Sequence, residues 1–371
     1  MNGISIVIIS RGREQLLENL IKSVKKAEEK IDFPTEIILV DSSIGNSIKY
    51  IKELVKKYNI KYFYQDICVS AKRNYGAKQA EYDVILFLDS DCIVCENILC
   101  EYKKIYDKYP EAAGSAGPLE FVGKSTWFWN VVEKTPYTIF FSMPKWSEQL
   151  QWSPTANFSV KKEIFMGIGG FDTEFQKNPG GEDVDLGLRM YKNGLKLYSA
   201  QKAVVYHSKT TWCSVKSMFR RAFNYGLGDM NLAIRHNDML CHCLPRRTIM
   251  MLWGMLLCIV LGIVLNPLFY IGILGVPVFE IIFTALLVNI FAKYKSTTLI
   301  KQIVVQFLLL TNELGYIYGC IRKGKYRLLN KQLIYFKPQI DGICYQNFLS
   351  AMIYCLFLMI IFILIGGAKN V

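Results

Sequence analysis

The 371-residue sequence predicts an α/β domain with a mostly parallel sheet, followed by an all-α membrane region. Three observations predict it. Up to about residue 210, short β-branched runs alternate with segments of helical periodicity. From Thr248 onward, long apolar stretches dominate. Overall, 52% of residues are hydrophobic and 20% charged, a charge content low for a soluble chain and high for a fully embedded one. The expected organisation is an α/β domain over residues 1–212, a basic amphipathic linker over 213–247, and a membrane region over 248–371.

Residues 5–9, SIVII, form a continuous run suited to a strand buried on both faces. Leu16, Leu17, Leu20, Ile21 and Val24 then recur at helical spacing. Residues 36–40 read as a second strand ending at Asp41, 51–58 as a helix and 61–64 as a short strand. Residues 70–80 read as a helix with Lys72 and Arg73 in its first turn, and 84–88 as the next strand. This βαβαβαβ order gives a parallel sheet covered by helices. Ligands of such sheets bind outside the carboxyl ends of the strands. Ser10 and Arg11, Asp41, and Asp89-Ser90-Asp91 all fall at those ends.

Residues 111–151 are irregular and rich in aromatics, fit to shape a pocket. A strand over 156–160 and a helix from Lys162 follow. A Gly/Pro turn then opens a helix with Glu182 and Asp183 at its N-terminus and Asn193-Gly194 at its end. Short strands are expected over 195–198 and 203–206, with His207 after the second.

Residues 248–265, 269–291 and 348–365 are each long enough to span about 30 Å of hydrocarbon. Lys301, Gln302, Asn312 and Glu313 interrupt the stretch 299–321, which reads as an interfacial helix or a fourth span. Residues 214–225, with Arg220 and Arg221, read as a further interfacial helix. Basic residues flank the spans: Arg246 and Arg247, Lys293 and Lys295, and Arg322, Lys323, Lys325 and Arg327. Such clusters mark cytoplasmic flanks, and with a net charge of +13 they point to membrane lipids rather than nucleic acid as partner. No basic leader precedes the first strand, and 11 cysteines, an odd number, fit a reducing compartment. The expected location is the cell membrane, multi-pass, with the α/β domain on the cytoplasmic face.

Asp89 and Asp91 pose an electrostatic question, because two carboxylates so close repel unless a cation sits with them. Mg²⁺ or Mn²⁺ would answer it, since both take oxygen ligands and bind one or two carboxylates plus substrate phosphates. A solvated turn would explain the pair equally well. His207 is a second candidate ligand, since imidazole suits Mn²⁺. Glu182 and Asp183 suit helix capping, and Asp183 could also accept a proton, although the helix dipole would tend to lower its pKa. Arg11, Lys72, Arg73 and Asn74 are candidates to reach a phosphate, with Lys72 more naturally placed on a solvated helix face. Cys241-His242-Cys243 lacks a paired zinc spacing. Glu280 lies inside a span and serves either function or helix packing.

Together the segments ILVDSS, SAKRNYGA, LFLDSDC, NFSV, GGFD and GGEDVDLGLR resemble, in kind and order, family 2 glycosyltransferases with the GT-A fold. The resemblance covers about the first 210 residues. It implies an inverting, metal-dependent transfer of sugar from a nucleotide-sugar donor, UDP- or GDP-linked. It also implies Asp41 at the nucleobase and Asp89 at the ribose or a metal-bound water. Asp91 would bind the metal directly, with His207 as a further ligand, and Asp183 would be the catalytic base with Glu182 beside it. Ser10, Arg11 and Arg73 are expected among the donor contacts from their own positions, because Ser10-Arg11-Gly12-Arg13 replaces the family's more usual polar turn after the first strand. Processive synthases of the family carry Q-x-x-R-W after the base, whereas SMFRRAFNYGLGD stands here. The expected reaction is therefore transfer of one sugar to a lipid-linked or membrane-proximal acceptor. The alternatives are processive synthesis and a non-catalytic nucleotide-binding module.

Overall fold

Strand β1 (Ile4–Ser10) lies between β2 (Thr35–Asp41) and β4 (Val84–Asp89), parallel to both. The computed structural model describes residues 1–177, 180–243, 246–291 and 297–335, with individual helical positions between 349 and 363. The chain divides into two compact units. One is Met1–Thr126 with Pro136–Ser214, and the other is Trp127–Thr135 with Val215–Val371.

In the first unit the elements run α1 (Glu14–Glu28), α2 (Asn46–Tyr58), β3 (Lys61–Tyr64), α3 (Val69–Gln79), β5 (Cys92–Val94), α4 (Ile98–Lys108), β6 (Ala112–Ala116) and β7 (Leu119–Val122). After these come β8 (Gln149–Leu150), β9 (Asn157–Lys161), α6 (Lys162–Gly167), α7 (Glu182–Lys192), β10 (Lys196–Ser199) and β11 (Val205–Ser208); α5 (Trp129–Val132) belongs to the second unit. The large sheet has the order β3-β2-β1-β4-β9-β6-β10-β8. It is mostly parallel, but β9 runs antiparallel to both β4 and β6, and β8 antiparallel to β10.

The middles of β1, β2 and β4 are apolar because both faces are covered. Ile4, Ile6 and Ile8 of β1 and Val84, Leu86 and Leu88 of β4 pack with Leu17, Leu20, Ile51 and Tyr102 from α1, α2 and α4. Val7, Ile85 and Phe87 pack on the other face with Ala77 of α3, Phe165 of α6, and Leu186 and Met190 of α7. Each fully buried Ile, Leu or Phe contributes roughly 1.5–3 kcal/mol by leaving water. The period of two has a functional consequence. Asp89, two residues past Phe87, falls on the face that carries α3 and α7.

A second sheet, β5-β11-β7, leaves the end of β4. There β11 pairs antiparallel with β5, His207 opposite Cys92, and parallel with β7, His207 opposite Phe121. His207 thus stands within a strand rather than after one. Two further boundaries differ from expectation. Helix α2 starts at Asn46, not 51, because the polar turn Asn46-Ser47 joins the helix ahead of its first buried residue, Ile51. The strand expected at 156–160 is Asn157–Lys161.

The second unit contains α8 (Val215–Arg235), β12 (Leu240–His242), α9 (Arg247–Val264), α10 (Gly272–Phe291), α11 (Leu299–Arg322) and β13 (Lys331–Leu333). Among the described residues, three helices are long and apolar enough to cross a membrane: Arg247–Val264, Pro267–Phe291 and Leu299–Arg322. The expected span at 348–365 falls largely outside the described residues. Helix α8 ends ten residues beyond the interfacial helix read from 214–225. Its length follows from packing rather than from an interface. A Cβ on Gly226 would collide with the Asn312 carbonyl of α11, and one on Gly315 with the Phe223 carbonyl of α8, so the two backbones touch through glycines.

Lys301, Gln302, Asn312 and Glu313 interrupt the apolar character of α11, and Gln302 and Glu313 face inward. Arg247 Nη1 donates to Gln306 Oε1 at 2.7 Å, and lies 3.5 Å from Glu280 Oε1. Its Nε lies 3.9 Å from Glu313 Oε1. The Thr248 N–H and hydroxyl donate to Glu313 Oε2 at 3.0 and 2.8 Å. One buried guanidinium therefore joins three helices, which assigns Glu280 to packing. Removing it leaves two buried carboxylates unpaired. We expect R247M to lower the unfolding free energy of the detergent-solubilised protein by about 3–5 kcal/mol in a denaturant titration, and the double variant R247M/E280M to recover part of that loss.

Candidate active site

The site grows from the carboxyl ends of β1, β2 and β4. Asp41, at the end of β2, is fully buried. Its Oδ1 accepts from the Ser10 hydroxyl at 2.5 Å and the Ser43 hydroxyl at 2.7 Å, and its Oδ2 from the Ser43 N–H at 3.1 Å. Tyr62 donates to Oδ2 at 3.4 Å and, half-buried beside this carboxylate, has its phenol pushed up to about 12. Asp41 and Ser10 are both interior and tie β1 to the turn after β2. Lys72 is likewise buried rather than solvated. Its ammonium donates to the Ser10 carbonyl and the Ser42 hydroxyl, both at 2.9 Å, and burial pulls its pKa down. Arg11 stands exposed on the rim.

Arg73 is the centre of the cluster. Near the start of α3, it is buried, and its guanidinium donates to Asp89 Oδ1 at 2.8 Å and Glu182 Oε1 at 3.2 Å. The cation stands 5.6 Å from the Phe171 ring centroid. Burial opposes its charge, but Asp89, Glu182 and Asp183 together hold its pKa above the ordinary value. Asn74 beside it serves the loop instead, donating to the Phe171 carbonyl and accepting from its N–H.

Glu182 and Asp183 open α7 after two glycines with positive φ, Gly180 at 132° and Gly181 at 98°. Only glycine adopts that pair readily. Glu182 Oε2 accepts from the Gly180 N–H at 3.2 Å, and Asp183 Oδ1 from the Val184 N–H at 2.9 Å. The helix terminus was expected to depress the Asp183 pKa. Instead its carboxyl is pushed up to about 7, first by enclosure in protein and then by the charge of Glu182, against the smaller pull of Arg73 and the backbone. Like-charge proximity and desolvation outweigh the dipole.

Asp91 and His207 meet where the second sheet leaves β4. The Ser208 N–H donates to the Asp91 carbonyl at 3.0 Å, which fixes β11 against the acidic turn. His207 Nδ1 faces the Ser208 carbonyl at 3.3 Å, the arrangement of an Nδ1–H donor. Nε2 is then a lone pair, and it points at Asp91 Oδ1 3.4 Å away. Two acceptors facing each other is a geometry that a cation completes. Asp91, Cys92 and His207 bring one ligand atom each within 4.8 Å of one another. Burial and the neighbouring Asp89 and Asp91 raise the Cys92 thiol well above its usual range. The Asp91 oxygen and the His207 nitrogen offer a donor set suited to Mn²⁺ or Mg²⁺. Phe121 and Trp212 pack against the imidazole, with ring centroids 5.4 and 6.2 Å away.

The sequence reading passed over Arg13. Its Nη1 donates to Asp91 Oδ2 at 2.9 Å across 78 residues. No local spacing reveals this contact. It exists because β1 lies beside β4, with Ile9 opposite Asp89.

Residues 5–171 match the sequence model of the family described as "Glycosyl transferase family 2". The chain is 24% identical over 225 residues to the O-antigen biosynthesis protein RfbC of Myxococcus xanthus, covering 56% of this chain and 17% of that one. It is 20% identical over 250 residues to the validoxylamine A glucosyltransferase of Streptomyces hygroscopicus subsp. jinggangensis, covering 58% of each. The chain thus spans well under two thirds of either curated relative. Among solved structures, the mannosyltransferase PcManGT from Pyrobaculum calidifontis in complex with GDP-Man and Mn²⁺ aligns over 85% of this chain and 87% of that one. The TM-score is 0.52 and the identity 13%, a likeness of fold.

Three outcomes follow from these charges. With Asp183 as the proton acceptor, turnover should fall about tenfold per pH unit below pH 7 and level off above it. R73Q removes the one cation that lowers the Asp183 pKa, and the acid limb of the rate profile should then move to higher pH. For D183N the stability sign is opposite to that of activity. A carboxyl raised from its unfolded value to about 7 carries an unfavourable charge in the folded state above pH 7. At pH 8 thermal unfolding of D183N should come no lower than wild type, and the difference should vanish below the unfolded pKa near 4.

Proposed function

From a family 2 glycosyl transferase domain of GT-A fold at residues 5–171, we propose that this chain is a membrane-anchored, inverting transferase. It moves a single sugar from a UDP- or GDP-linked donor to a lipid-linked or membrane-proximal acceptor. The observation that carries the reading is the Arg73 bridge. It joins the acidic end of β4, where a nucleotide and metal would sit, to the start of α7, where Asp183 stands as base.

The chain's own residues divide the work. Asp91 and His207 would hold Mg²⁺ or Mn²⁺, which when bound would neutralise charge on the departing diphosphate. Asp183 accepts the proton of the attacking hydroxyl. Its raised pKa makes it a stronger base than a free carboxylate while leaving it ionised near neutrality. Arg73 fixes Glu182 and keeps the start of α7 in register with Asp89. Asp183 attacks nothing itself, so the hydroxyl approaches the anomeric carbon directly and the configuration inverts. The three helices long and apolar enough to span are consistent with an acceptor at the bilayer, and their basic flanks with a cytosolic face for the catalytic unit.

The direct test is product analysis. Detergent-solubilised protein with Mn²⁺, a panel of UDP- and GDP-sugars and a total membrane-lipid extract should yield one lipid product larger by one sugar. D183N should yield it at least a thousandfold more slowly. A ladder of long products would contradict single transfer, and unchanged turnover by D183N would reduce Asp183 to a helix cap. D91N and H207A should each weaken nucleotide binding in Mn²⁺, and H207A should leave the residual binding in EDTA unaltered.

A further inference from the structure

Arg13 is in an unusual state for an arginine beside a metal ligand. It is left-handed, with φ 62° and ψ 41°, immediately after Gly12 at φ 67°. A non-glycine residue there is strained. The preceding residue is tied down, since the Gly12 N–H donates to the Ser43 hydroxyl at 2.7 Å and that hydroxyl donates to Asp41. The loop is therefore anchored to the interior, and its shape aims the Arg13 side chain across the strand ends. The guanidinium takes Asp91 Oδ2 at 2.9 Å while the side chain remains 49% exposed, although Asp91 itself is buried.

We infer that Arg13 is a resident counter-ion of the metal site and becomes a ligand of the donor's diphosphate. The inference rests on the transferase reading and adds to it a residue and a coupling. A divalent cation and a guanidinium both seek the Asp91 carboxylate. With only the protein present, one excludes the other or repels it across a few ångströms. Among the described residues, the guanidiniums paired with Asp89, Asp91 and Glu182 are those of Arg13 and Arg73. Arg73 is committed to Asp89 and Glu182 and is buried. Arg13 is half exposed and its guanidinium is held by the Asp91 contact alone of these carboxylates, so of the two it is the one that can turn. A diphosphate arriving with the metal supplies the anionic oxygens that a displaced guanidinium pairs with in bidentate fashion. Metal and nucleotide therefore bind cooperatively, because each removes the penalty of the other. Metal without nucleotide is held weakly, and nucleotide without metal meets a guanidinium already engaged with Asp91.

The experiment measures this coupling directly. Free Mn²⁺ is counted by electron paramagnetic resonance in titrations of the full-length solubilised protein, alone and with saturating UDP or GDP, for wild type, R13Q and R13K. R13Q should bind Mn²⁺ alone about tenfold more tightly, and bind the nucleotide in saturating Mn²⁺ about tenfold more weakly, for the removal of one charge-assisted contact in each state. R13K, which keeps the charge but not the fork, should fall between. A purely structural role for Arg13 would weaken both affinities together, and equal coupling in wild type and R13Q would overturn the inference while leaving the transferase reading standing. If wild type binds Mn²⁺ neither alone nor with nucleotide, both fall.

Discussion

One buried guanidinium organises the α/β unit. Arg73 leaves α3, crosses the end of the sheet and holds Asp89 and Glu182 at once. Without it, carboxylates from β4 and α7 would meet in a half-dry space with nothing between them. Burying an arginine is costly, and the cost is met only because two acids and the Phe171 ring receive it. The same contact sets the separation between the acidic turn and the start of α7. The proton affinity of Asp183 is thus a balance between enclosure and Glu182 on one side and Arg73 on the other.

The second constraint is topological. The turn at Asp91 is closed not by the large sheet but by the small one, through the Ser208 N–H on the Asp91 carbonyl. This contact delivers His207 from more than a hundred residues away. Because β11 is held between β5 and β7, the imidazole has little freedom to move away from Asp91. The aromatic packing of Phe121 and Trp212 against the ring reinforces that restraint. Preorganisation of this kind means that a ligand entering the site pays little ordering entropy.

Much of this was legible in the chain. The apolar runs at β1, β2 and β4 predicted a parallel sheet because burial on both faces leaves no polar alternation, and the residues after them marked the functional edge. Three matters were not legible. Lys72 looked solvated because a lysine at the start of a polar helix usually is; here two interior oxygens claim it. Arg13 could not be found at all, since its contact depends on the β1–β4 register and on a left-handed backbone that no composition rule assigns to arginine. The length of α8 also escaped, because it is stabilised by glycine-mediated contact with α11 rather than by its own amphipathic face.

The account stands or falls on whether the Asp91–His207 corner binds nucleotide through a metal. Calorimetric titration of the solubilised wild-type protein with UDP and with GDP, each in Mn²⁺ and in EDTA, measures it most directly. The account predicts binding of one of the two nucleotides, strong in Mn²⁺ and largely lost in EDTA. A folded protein that binds neither, or binds one equally well in EDTA, would contradict it.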